Sequence, residues 1–206
     1  MKMIYTTMIA ASLIGCAPSS TTETTPLTTT PISTSDLATV AMEKTEGCLT
    51  GPVEQFGRYL GDWDIQDWAL SQTDGKTWNE GKGARWNFTC LGNGIAVQDF
   101  WMPNGGGVGT NLRIYDPKEK RWEVAWTASN LPGLTHIRAK EAAAKEGKKG
   151  NIIMHYVSPQ QTPPRRITFM PPTENGWDWK LEMELPSGDT KAWREVYRIK
   201  ATRRTN

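Results

Sequence analysis

The chain has 206 residues, with 24 Lys+Arg against 22 Asp+Glu, a formal net charge of +2, 37% hydrophobic residues and 22% charged ones. That length holds one ordinary domain and a short appendage. The near-neutral balance speaks against nucleic-acid binding, and no apolar run reaches the roughly 18 residues of a transmembrane helix. All ten Trp lie between Trp63 and Trp193, against four Phe in the whole chain.

In chain order, Lys2 gives a positive start and Met3 to Ile14 is mostly apolar, the length of a signal h-region and too short to cross a bilayer. The run ends in Leu13-Ile14-Gly15-Cys16. These residues, directly after the apolar stretch, resemble the lipobox of bacterial lipoproteins, where the chain is cut before a cysteine that takes diacylglycerol. The resemblance implies that residues 1–15 are a signal peptide, that Cys16 is lipidated and that the bilayer is a partner. Ala17 is not Asp, and the family's sorting habit then implies the outer membrane of the cell envelope, facing the periplasm. Several acyl chains anchor far more durably than one.

Residues 16–47 are rich in Thr, Ser and Pro and hold no aromatic residue. Such a segment buries too little apolar surface to offset its ordering entropy, so a disordered tether is expected. The folded domain is expected over 48–206. With Cys16 lipidated, Cys48 and Cys90 remain as an even pair in an oxidising compartment, which predicts a disulfide; the alternative is two unpaired thiols. The cysteines and the two histidines lack ligand spacing, so neither metal nor cofactor is expected.

From Gly51 onward, short alternating runs are separated by turn signals. Trp177, Trp179, Leu181 and Met183 share one strand face while Asp178, Lys180, Glu182 and Glu184 share the other. Ala84-Trp86-Phe88-Cys90 and Trp122-Val124-Trp126 repeat the pattern. About ten strands are predicted, near 62–70, 83–91, 94–102, 107–116, 121–128, 134–140, 151–158, 165–170, 176–185 and 191–201. Hairpin punctuation such as Asp74-Gly75 and Asp116-Pro117 separates them. Pro52 to Leu60 reads as a short helix with Pro in its first turn. Glu141 to Lys149 has helical propensity but no apolar face, so an exposed loop with a helical turn is expected. The fold class is therefore all-β, an antiparallel up-and-down meander that closes on itself, since closure removes exposed edges.

Gly61-Asp62-Trp63, at the start of the first strand after a short helix, resembles the Gly-x-Trp signature of the lipocalins and the wider calycin superfamily. The resemblance implies a calycin-like β-barrel of about 8–10 strands whose Trp plugs the closed end beneath an Arg from the last strand, here Arg198 or Arg203. No helix follows the last predicted strand, a departure from the lipocalins. The higher strand count is closer to fatty-acid-binding and nitrobindin-like barrels. The latter hold haem through a histidine, but neither His136 nor His155 sits in a matching motif.

Some inviting motifs fail on context. Gly105 to Gly109 is glycine-rich but lacks a following Gly-Lys-Ser/Thr, so it reads as a hairpin at the barrel rim, where it is placed to act as a lid. Ser71 to Trp78 resembles the Asp-box of sialidases, yet its Asp position falls on Thr73, which leaves a hairpin turn. From His136 to Asn206 there are 14 Lys+Arg and 8 Asp+Glu, either a patch for anionic headgroups or a solvated outer face.

Polar residues sharing a face with large apolar ones are the candidate ligand contacts, because an inward polar group needs a partner. Asp99 lies between Val97 and Trp101, Glu195 between Trp193 and Tyr197, and His155 between Ile153 and Val157. Arg113 shares a face with Asn111 and Tyr115, His136 with Leu134 and Arg138, and Arg166 with Thr168 and Met170. The candidate ligand-binding set is Asp99, Trp101, Arg113, Trp126, His136, His155, Arg166, Glu195 and Tyr197. Strand faces stay open at 95–102 and 152–157, where both sides are apolar. Three readings follow. The first is an envelope lipoprotein binding a small apolar or aromatic ligand in a Trp-lined cavity. The second is a hydrolase or isomerase using His136 or His155 on a small hydrophobic substrate, and the third a structural or interaction lipoprotein with a filled barrel.

Overall fold

The computed structural model describes residues 42–185 and 192–205. The expected signal peptide, Cys16 and most of the tether lie outside the described residues. Two 3-10 turns, η1 (Glu46–Leu49) and η2 (Gly51–Val53), lead into a one-turn helix α1 (Glu54–Gly57). The strands that follow are β1 (Gly61–Leu70), β2 (Trp78–Glu80), β3 (Ala84–Leu91), β4 (Ala96–Pro103), β5 (Gly109–Asp116) and β6 (Arg121–Ala128). Then come β7 (Thr135–Glu141), β8 (Ile152–Ser158), β9 (Arg165–Phe169), β10 (Gly176–Leu185) and β11 (Ala192–Arg203). Glu141 to Lys149 holds a turn but no helix.

Every neighbouring pair is antiparallel, and β11 returns to β1, with Arg203 to Tyr197 set against Trp63 to Ala69. The result is a closed ten-strand meander, compatible with a calycin-like barrel. The short β2 is an addition to the predicted set: its three residues carry no alternation, and they pair with Trp68 to Leu70 above the point where β1 leaves β3. Alternation does the rest, most cleanly on β3, where Ala84, Trp86, Phe88 and Cys90 are buried and the residues between them are partly exposed.

The segment 46–60 closes one end. Phe56 and Tyr59 are fully buried. Gln55 Oε1 accepts from Trp122 Nε1 at 2.9 Å, Arg58 donates to Glu141 and to the Gly150 carbonyl, both at 2.7 Å, and Tyr59 Oη donates to the Met170 carbonyl at 2.9 Å. Burial pushes the Tyr59 phenol up to about 12, so it stays a donor. Cys48 and Cys90 are joined in a disulfide with Cα atoms 6.0 Å apart, tying η1 to the end of β3. Gly57 allows this packing, since a Cβ there would sit 1.6 Å from the Cys48 carbonyl oxygen.

Trp63 is fully buried within this plug. Its Nε1 donates to the Tyr59 carbonyl at 2.7 Å, and the Arg203 guanidinium carbon lies 3.9 Å from its ring centroid. Arg203 also donates to the Leu60 carbonyl at 2.8 Å. Of the two arginines expected over Trp63, Arg203 takes the place, while Arg198 lies 3.6 Å over Trp78.

Candidate functional site

Plug and lower barrel share one cluster of mostly edge-to-face and tilted rings: Phe56, Tyr59, Trp63, Trp86, Phe88, Phe169 and Trp177 pair with centroids 5.1 to 6.4 Å apart. Pairs of this kind add about 0.5–1.5 kcal/mol each beyond area burial. Higher up, the packing opens into a cavity of about 230 Å³. Trp86, Trp101, Trp126, Tyr156, Trp179 and Tyr197 supply its aromatic wall, and Ile137, Met154, Ile167, Phe169 and Ile199 the rest of its apolar lining. Asn111 and Arg113 are its polar lining residues. An engineered apolar cavity of about 150 Å³ takes benzene; this one has room for a single ring with a short substituent.

The polar corner comes from β4 and β5. Asp99 and Asn111 pair directly across the ladder, and Arg113 sits two residues further on the same face. Arg113 Nη2 donates to Asp99 Oδ2 at 2.5 Å. Asp99 Oδ1 accepts from the Asn111 backbone N–H at 2.9 Å and from Nδ2 at 3.0 Å. Asp99 is 0% and Arg113 1% exposed. Three rings surround the guanidinium, whose carbon is 4.7 Å from the Phe56 centroid, 5.2 Å from Phe88 and 5.8 Å from Phe169. On the opposite wall, Tyr197 Oη donates to Asp67 Oδ2 at 2.5 Å, and the other Asp67 oxygen accepts from the Gly83 N–H at 2.9 Å. Burial and the adjoining Asp67 carboxylate both push the Tyr197 phenol up.

Trp101 and Trp126 also border a groove of about 380 Å³ between Gly106 to Gly109 and Ala128 to Leu131. The glycine-rich hairpin therefore stands at the rim, at the end opposite the plug. Gly109 lets Trp126 lie close: a Cβ there would meet the indole Cη2 at 2.1 Å.

Of the sequence-predicted residues, Trp101, Arg113, Trp126 and Tyr197 line the cavity and Asp99 braces its floor. The inward placement expected for the other four is corrected. On β7 the core takes Ile137 and Ala139, so His136 points outward and pairs with Glu123 at 2.5 Å. On β8 it takes Ile152 and Met154, which leaves His155 on the outer wall, its ring 6.3 Å from Trp193. On β9 it takes Ile167 and Phe169, so Arg166 points outward, donating to Glu182 at 2.8 Å and lying 4.4 Å over Trp193. A register shift between β10 and β11 sets Glu195 opposite Glu182 on the outside, where it pairs with Arg198 at 2.8 Å.

These outer groups form two ionic clusters. Partial burial alone would raise the Glu123 carboxyl, but hydrogen bonds from Arg121, His136 and Arg138 outweigh it and hold the group at about 2. Burial likewise opposes and Arg166 and Lys180 outweigh at Glu182, whose carboxyl is lowered. His155 is lowered by burial and by the Arg166 charge. Neither imidazole reaches the cavity, so acid–base chemistry through His136 or His155 on a substrate inside the barrel has no geometric basis.

Reasoning from sequence left Trp86, Asn111, Tyr156 and Trp179 out of the site. Trp86, Trp179 and Asn111 carried a usable signal, since each alternates with residues already placed inward; Tyr156 stands in a stretch with two apolar faces. Among the described residues there is no group of three or more His, Cys, Asp or Glu that would hold a metal ion. No family model and no curated protein matches the chain.

Proposed function

We propose that the protein is a binding barrel for a small apolar or aromatic molecule. The carrying observation is the cavity of about 230 Å³, walled by indole and phenol rings, closed by the helical plug and bordered by the rim groove at its other end. A concave, largely apolar site with a few convergent polar groups is the usual form of a small-molecule site. Its volume also weighs against a barrel filled by its own side chains. The test is titration of ethylbenzene into the purified full chain while the indole N–H resonances are followed by NMR. Shifts confined to the cavity tryptophans support the reading. A spectrum unmoved at saturating arene, together with no co-purified mass in native mass spectrometry, refutes it.

The resemblance at Leu13 to Cys16 supports a further part of this reading: the barrel is carried on the cell envelope by an acylated Cys16 and faces the periplasm. A disulfide between Cys48 and Cys90 is in keeping with an oxidising compartment. Metabolic labelling with an alkyne fatty acid tests it, with C16S expected to abolish the label; a label that survives in C16S refutes the assignment.

A further inference from the structure

We infer that the cavity selects neutral arenes bearing a carbonyl acceptor, such as aryl ketones, aldehydes or esters, over plain hydrocarbons and over aryl carboxylates. This rests on the cavity being a ligand site and deepens that reading. Arg113 lines the cavity at 1% exposure. One of its nitrogens is spent on Asp99, while Nε and Nη1 are buried with no hydrogen-bond partner among the described residues. Trp86 Nε1, on a ring lining the same cavity, is buried and unpartnered as well. The surrounding rings satisfy the face of the guanidinium but are weak acceptors for its edge. The floor thus holds donors in excess that the packed rings cover; a guest that brings an acceptor, with a small shift of the floor that uncovers one of them, recovers a charge-assisted hydrogen bond that a hydrocarbon forfeits.

The charge count decides between neutral and anionic acceptors. The guanidinium is already neutralised by Asp99 at 2.5 Å, and Arg113 is the charged side chain of the lining. A carboxylate guest would put a second negative charge beside one cation in a water-poor interior, at a desolvation penalty that a carbonyl oxygen does not incur. The ring of the guest then lies among Trp101, Trp126 and Tyr156, with its carbonyl toward the β5 floor.

Three probes of nearly equal shape separate the outcomes: acetophenone, ethylbenzene and benzoate, titrated calorimetrically into the full chain. Acetophenone is expected to bind about ten-fold more tightly than ethylbenzene, and benzoate no more tightly than ethylbenzene. In the D99N/R113M double variant, which removes both charges together, the acetophenone advantage is expected to fall to about two-fold while ethylbenzene still binds. Equal affinities for acetophenone and ethylbenzene in the unmodified chain overturn the acceptor preference and leave the cavity reading standing. Benzoate as the tightest probe overturns the neutrality argument. An absence of binding by all three overturns the cavity reading and this inference with it. The unmodified chain decides the question even where the double variant fails to fold.

Discussion

Replacing Arg113 by Met removes the cation from a fully buried ion pair while keeping a side chain of similar reach. Asp99 is then left at 0% exposure with the Asn111 donors as its remaining partners. Breaking a buried pair from one side costs about 3–5 kcal/mol, because the remaining charge is stranded. The lost contacts to Phe56, Phe88 and Phe169 fall within that figure. For a domain of this size the melting temperature then drops by on the order of 10 °C. D99N is expected to cost a similar amount, since it strands the guanidinium instead. Together, D99N/R113M removes both charges and keeps a carbonyl oxygen able to accept the Asn111 N–H. It is expected within about 2 kcal/mol of the unmodified chain, because replacing a whole buried pair by uncharged groups is often near neutral. Urea denaturation of the four proteins completes the cycle, with a coupling energy of at least about 2 kcal/mol expected. Single-variant penalties that simply add, or an R113M within about 1 kcal/mol of the parent, would refute the description of this pair as a mutually dependent buried unit.

Three other consequences follow from the plug and the outer wall. The disulfide spans 42 residues, so C48S/C90S is expected to lose about 4 kcal/mol of stability on loop-entropy grounds, read as a lower urea midpoint; an unchanged midpoint would mean that the plug is held by packing alone. R203A removes the cation over Trp63 and the donor to Leu60; about 1 kcal/mol and an altered Trp fluorescence maximum are expected, with R203K partly restoring both and an unaltered emission counting against the stacking role. Glu123 is depressed from 4.5 to about 2 in the folded chain, so its contribution is present above 4.5 and is lost as pH falls from there toward 2. E123Q should therefore melt closer to the parent at pH 3 than at pH 6, and an equal gap at both pH values would contradict the pairing with Arg121, His136 and Arg138.

The strands were legible because burial on this barrel alternates with period two, and the large inward residues make that period visible. Trp177, Trp179 and Leu181 mark β10, and Ala84, Trp86, Phe88 and Cys90 mark β3. On β5 the floor was legible for the same reason, since Asn111 and Arg113 alternate with Tyr115; on β4 both faces are apolar, and it is the ladder to β5 that turns Val97, Asp99 and Trp101 inward. Assignment failed where local alternation and the actual register part company. Glu195 alternates correctly with Tyr197, but the irregularity opposite Leu181 and Glu182 puts Val196 out of step and turns Glu195 to the outer wall. His136 alternates with Leu134, but that apolar residue belongs to the loop before β7 and is 69% exposed. Arg166 alternates with Thr168, which is buried on the outside of the barrel beneath Glu182, to which it donates at 3.2 Å. Both the out-of-step Val196 and the buried Thr168 lie on the same strands as Glu195 and Arg166, but what puts them there is the pairing of β11 and β9 with β10, which those segments do not show by themselves. Polar residues next to such features are therefore the ones whose side of the wall a single segment cannot specify, whereas Arg113 follows from its alternation with Asn111 and Tyr115, and Asp99 from the unbroken ladder that sets it opposite Asn111.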